Sequence, residues 1–140
     1  MNRRNRALLR AIAPLLLMGV IFYFSAQTSS GEHPWWDVIF RKLGHVTGYA
    51  LLTTLWWWAL RGVTARPLLI AVCIALAYAC TDEFHQTFVD GRHGTPVDVG
   101  VDAIGMAIAA WLVNRGAQAP RAKHGKDAGR PAKRAYEGST

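Results

Sequence analysis

The chain has 140 residues, of which 51% are hydrophobic and only 18% charged, and it carries a net charge of +7. So high an apolar share in so short a chain argues against disorder throughout and against an ordinary soluble globule. With Cys73 and Cys80 as its two cysteines, a disulfide scaffold or cysteine-rich zinc module is excluded.

Four apolar stretches follow in chain order: Ala11–Ala26, Leu43–Leu60, Pro67–Thr81 and Val99–Val113, the last interrupted by Asp102. Segments of roughly 15–20 such residues nearly cross a hydrocarbon core as helices. Their backbone groups are satisfied in lipid only by helical hydrogen bonds. The expected fold is all-α, a four-helix transmembrane bundle over residues 1–114 with spans at 8–26, 43–60, 67–86 and 97–114. Residues 115–140 mix Arg and Lys with Gly, Pro and Ala, a composition unable to bury a core, and read as a disordered basic tail.

Basic residues set the expected orientation. Arg3, Arg4, Arg6, Arg10, Arg61, Arg66 and seven tail residues from Arg115 to Arg134 fall on one side; Arg41, Lys42 and Arg92 fall on the other. This bias places both termini in the cytoplasm, with the tail on the anionic inner leaflet. Ser25-Ala26-Gln27 follows an apolar core as a signal-peptide cleavage site does, but the bias is satisfied with the first helix retained. The tail has no aromatic interleaving beyond Tyr136, so membrane lipids and not nucleic acid are the expected partner. Tyr23, Phe24, Trp35 and Trp36 near the outer ends, and Trp56, Trp57, Trp58 and Trp111 near the inner ends, fit interfacial belts.

The acids lie opposite the bases. Glu32, Asp37, Asp82, Glu83, Asp90, Asp98 and Asp102 all fall on the outer side or in the outer half of a span. Ionisable groups within spans are expensive, and they mark functional sites. On the second helix Lys42, His45 and Tyr49 form one stripe; on the third, Tyr78, Asp82, His85 and Gln86 share a face, with Glu83 about 100° away. Asp98, Asp102, Gly105 and Ala109 line a face of the fourth, where small residues permit close helix approach. Gly91-Arg92-His93-Gly94 forms a tight turn between the third and fourth. Singly, each group has a packing or capping role; their common depth points to one shared outer-leaflet site.

In order and spacing, Arg41-Lys42-x-x-His45-x-x-x-Tyr49, Tyr78-Ala79-x-x-Asp82-Glu83-x-His85-Gln86-x-Phe88-Val89-x-Gly91-Arg92 and Asp98-x-x-x-Asp102-x-x-Gly105 resemble the VanZ-like family, as does Phe24-Ser25-Ala26-Gln27 at the first helix end. The likeness covers about residues 15–113. It departs at Asp90, where the family commonly carries Pro before Gly-Arg, and Asp102 stands where the family carries Asp or Asn. The resemblance implies a small bacterial inner-membrane protein of a family named for low-level resistance to the glycopeptide teicoplanin.

Two classes of function follow. In the first, a membrane enzyme acts on an amphiphilic or lipid-linked cell-envelope substrate, with His45 or His85 as base or nucleophile, Asp82 or Glu83 orienting it, and Lys42, Tyr49, Gln86, Arg92, Asp98 and Asp102 binding substrate. No short-spaced metal motif is present, so no metal is expected; a metal variant of the site would use His45, His85, Asp82 and Asp98. In the second, the protein is a non-catalytic binder or scaffold whose polar cluster is structural. A proton or ion path is disfavoured, because the inner halves of the spans lack ionisable groups.

Overall fold

The structure, a computed structural model, describes residues 2–28, 35–92 and 94–118. Glu32, His93 and the expected tail from residue 119 onward lie outside the described residues. Among the described residues there are four helices: α1 (Arg3–Ser25), α2 (Trp35–Leu60), α3 (Pro67–Gln86) and α4 (Pro96–Gln118). Prolines open both α3 and α4, where a missing N–H costs nothing. Gly62 and Gly91 take positive φ (79° and 74°) in the turns after α2 and α3.

Two boundaries differ from the apolar runs. Helix α2 begins at Trp35, eight residues before Leu43. The added turns are amphipathic and tied internally, with Arg41 Nε donating to Asp37 Oδ2 at 2.9 Å one turn back. Helix α4 continues through Arg115 to Gln118.

Three helices, Asn5–Ser25, Pro67–Gln86 and Pro96–Gln118, are long and apolar enough to cross a membrane by length and composition. Helix α2, the longest at 26 residues, is not among them; it carries His45, Thr53 and Thr54 along its apolar stretch. It packs against all three others. The interior joins an apolar cluster of Tyr49, Leu52, Ala75, Ala79 and Met106 to buried polar groups, among them Asp82, Asp102, Ser25, Thr53 and Gln86. Leu8, Leu16, Phe24, Phe84 and Trp111 are exposed. So apolar an outer surface suits a lipid surround. Small residues make the helix contacts: Ala71, Ala75 and Ala79 on α3, Gly105 and Ala109 on α4. Cys73 and Cys80 are free and exposed.

The ends of the bundle are chemically distinct. At one end, guanidinium groups stack on indoles: Arg10 on Trp58 and Arg61 on Trp57, each 4.6 Å from the ring centroid, and Arg115 on Trp111 at 3.9 Å. At the other, Ser25 at the end of α1 bonds Asp82 in the last turns of α3, and His45 in the first half of α2 bonds Asp102 in the first half of α4. Glu83 and Gln86 of α3 share one cavity there with Lys42 and Asp98. The helices therefore run up and down in turn.

Candidate functional site

Four helices and one loop deliver polar groups to the second end. From α1, Ser25 Oγ donates to Asp82 Oδ2 at 2.6 Å. From α2, His45 Nδ1 lies 3.0 Å from Asp102 Oδ1 on α4. Lys42 Nζ donates to Asp98 Oδ1 at 2.8 Å, a half-exposed pair at the mouth of the site. Gln86 Nε2 sits among Ser25 Oγ, Glu83 Oε1 and Asp82 Oδ2 at 3.3–3.4 Å.

Close backbone approach makes this convergence possible. A Cβ on Gly105 would collide with the Val46 carbonyl, so α2 and α4 meet at van der Waals range only because that residue is glycine. Gly94 does the same for the loop, which lies against the Glu83 backbone carbonyl. Thr95 then caps α4: its Oγ1 accepts from the Asp98 N–H at 3.3 Å and donates to Asp98 Oδ2 at 2.6 Å. In a capping box the acid would turn back to the Thr95 N–H. Here that N–H goes instead to Glu83 Oε2 at 3.2 Å, which fastens the loop to α3.

Two cavities open on these groups. The first, of about 420 Å3, is lined by Arg41, Lys42, His45, Glu83, Gln86, Arg92, Asp98 and Asp102. The second, of about 490 Å3, is an apolar groove between α1 and α2, with Leu17, Val20, Ile21, Phe24, Phe40 and Tyr49 among its walls. Arg41, His45 and Arg92 border both.

Arg92 pairs with neither Asp98 nor Asp102, whose partners are Lys42 and His45. Its Nη2 donates to the Phe24 carbonyl at 3.3 Å, and its Nε is buried without a partner. Burial, and then the neighbouring Arg41 cation, lower the Arg92 pKa. The carboxylates of Asp82, Glu83 and Asp37 act in the opposite direction and offset part of that effect.

The structure thus brings together Lys42, His45, Tyr49, Asp82, Glu83, Gln86, Arg92, Asp98 and Asp102. His85 stands apart. Its ring packs on Phe22 of α1, centroids 4.5 Å apart, and it lines neither cavity. Glu83, which helical spacing turns away from the Asp82 face, is buried in the cluster because the Gly94–Thr95 loop closes over that side.

A ring nitrogen of His45 and one carboxylate oxygen each of Asp82 and Glu83 lie within 4.8 Å of one another, a set able to hold a metal ion. That set differs from the sequence-based alternative, since His85 faces Phe22 and Asp98 is engaged by Lys42. Three contributors were not among the expected site residues. Ser25 figured in the signal-peptide comparison and in the Phe24-Ser25-Ala26-Gln27 motif, and Arg41 as a topological charge and in the Arg41-Lys42 motif; Thr95 could have been found as the first residue of a Thr-x-x-Asp capping signal.

The sequence model of a family described as VanZ/LLP1 matches residues 10–115. No curated protein and no solved structure matches the chain.

Proposed function

The chain belongs to the VanZ/LLP1 family, and from that membership and the cavity geometry we propose that it is an inner-membrane protein, both termini cytoplasmic, that takes an anionic amphiphile of the cell envelope. The observation that carries this reading is that the polar cavity and the apolar groove share Arg41, His45 and Arg92. A molecule with an anionic head and a hydrocarbon tail fits that junction. Its phosphate or carboxylate meets the guanidinium groups, whose fork geometry suits either, and its tail lies between α1 and α2. His45, oriented by Asp102, stands in the wall of the polar cavity where the head group would lie. Altered handling of such an amphiphile is the proposed route to a glycopeptide-resistance phenotype.

The test is lipid preference. Purified protein in nanodiscs of phosphatidylcholine doped with phosphatidylglycerol is expected to retain the anionic lipid selectively, and Arg41→Ala with Arg92→Ala together to abolish the selectivity. Equal retention of both lipids by the unaltered protein defeats the reading. A second reading, a scaffold whose cluster only ties helices together, is favoured by the internal pairing of Lys42 with Asp98 and His45 with Asp102. It expects no lipid selectivity and a loss of stability from each pair broken.

A further inference from the structure

We propose that His45, Asp82 and Glu83 bind one divalent first-row transition-metal ion, with Asp102 as the residue that positions His45. The inference does not depend on what occupies the cavities. Its first support is the convergence of three ligand-type side chains from two helices, donor atoms within 4.8 Å of one another. An ion at about 2.0–2.2 Å from each donor draws them together by small side-chain rotations.

The second support is independent of that count. Asp82 is only 1% exposed, and its Oδ1 is buried with no hydrogen-bond partner. A carboxylate oxygen removed from water and left without a donor is costly, and a bound cation is one of the few groups that relieves it. Among the two ligand carboxylates the remaining oxygens, Asp82 Oδ2 and both of Glu83, already accept hydrogen bonds. Asp82 Oδ2 accepts from Ser25 at 2.6 Å, which turns Oδ1 away as the free donor. Glu83 Oε2 is fixed by the Thr95 N–H.

The imidazole has the arrangement expected of a metal ligand. Metal-bound histidines give their other ring N–H to a carboxylate, which fixes ring and tautomer. Asp102 is so placed against His45 Nδ1 at 3.0 Å, leaving Nε2 with its lone pair. Charge agrees: Asp82, Glu83 and Asp102 are all buried, and Lys42 is spent on Asp98. One nitrogen and two carboxylate oxygens suit Zn2+ or Mn2+. Three protein ligands leave a coordination position open, and His45 and Glu83 both face the polar cavity. An oxygen of water or of a bound head group can fill it.

The experiment uses the full chain in detergent, stripped with chelator and then titrated with Zn2+ or Mn2+ alone. The expected results are one ion per chain, a raised unfolding midpoint and, for Mn2+, nitrogen coupling from one imidazole in pulsed electron paramagnetic resonance. Asp82→Asn and Glu83→Gln should each abolish stoichiometric binding, and Asp102→Asn should weaken it roughly 10–100-fold. His85→Gln should bind as the parent does. Should a ligand variant fail to fold, the spectrum of the unaltered protein decides. Binding without imidazole coupling, binding retained in Asp82→Asn, or no binding above the stripped baseline overturns the proposal.

Discussion

Asp102 stands 57 residues from His45 in sequence, yet its Oδ1 lies 3.0 Å from the imidazole Nδ1. It is wholly buried on α4, with Oδ2 unpartnered. The pair links the two helices that the Gly105 contact brings together, so geometry and chemistry at this point depend on each other.

Removing the carboxylate should therefore be felt in stability. Asp102→Ala leaves the His45 ring N–H without its acceptor and is expected to cost about 1–3 kcal/mol, whereas Asp102→Asn keeps an acceptor and costs less. Unfolding midpoints of both variants in one detergent measure the difference; equal losses would contradict the role given to the hydrogen bond.

Glycine positions give a paired test of the helix contact. Gly105→Ala sets a Cβ against the Val46 carbonyl, and overpacking of this kind costs about 1–3 kcal/mol. Gly100→Ala on the same helix meets nothing within 4 Å and should be neutral or stabilising by up to about 1 kcal/mol. Thermal unfolding of the two should move in opposite directions or leave Gly100→Ala unchanged.

Lys42 and Asp98 form the exposed counterpart. Their side chains are 46% and 31% accessible, so breaking the pair with Lys42→Met is expected to change stability by less than about 1 kcal/mol. High salt should erase even that difference in the melting curves.

Arg92 separates a strut from a binding group. Its contact with the Phe24 carbonyl is a single bond at 3.3 Å, so Arg92→Lys and Arg92→Ala should both reach normal membrane abundance. On the proposed function both should lose the selectivity for an anionic lipid, since lysine lacks the bidentate fork. Loss of the protein itself in Arg92→Ala, with Arg92→Lys intact, would assign the arginine to the fold.

Orientation has its own measurement. A periplasm-active phosphatase fused after Gly116 should be inactive, and a cytoplasm-active reporter at the same place should work. The reverse pattern would invert the whole assembly.

Much of this architecture is legible in the chain. Pro67–Gln86 coincides with the third span read from hydropathy, because its proline start and apolar body leave no ambiguity. The start of α2 was not legible, since Trp35–Lys42 sets Asp37, Arg41 and Lys42 among apolar residues and its helicity is supported by pairs such as Asp37 with Arg41. Within the site, Asp82 and Gln86 lie about 40° apart around α3 and Glu83 about 100° from Asp82 on the same side. His85 falls about 60° the other way, towards Phe22. A helical wheel gives those angles but cannot say which side the neighbours cover. That was decided by the loop carrying Gly94 and Thr95, which closes on Glu83.

The absent side chain at Gly105 also governs how the bundle can move. With the α4 backbone seated on the Val46 carbonyl, a slide of α4 along α2 by about one turn would bring the Cβ of Asp102 or Ala109, the next residues on that face, towards the same notch. The two helices are keyed, and shear between them is blocked. Helix α1 is not held in this way: it touches no part of α4 among the described residues. Its ties at the polar end run through Ser25 to Asp82 and through the Phe24 carbonyl to Arg92, with Tyr78 bonding Met18 at mid-depth. Helix α1 is held on α2 and α3 instead, by these bonds and by Leu17, Met18 and Ile21 packed on the core, so any amphiphile seated in the groove would lie against the helix that α4 does not brace.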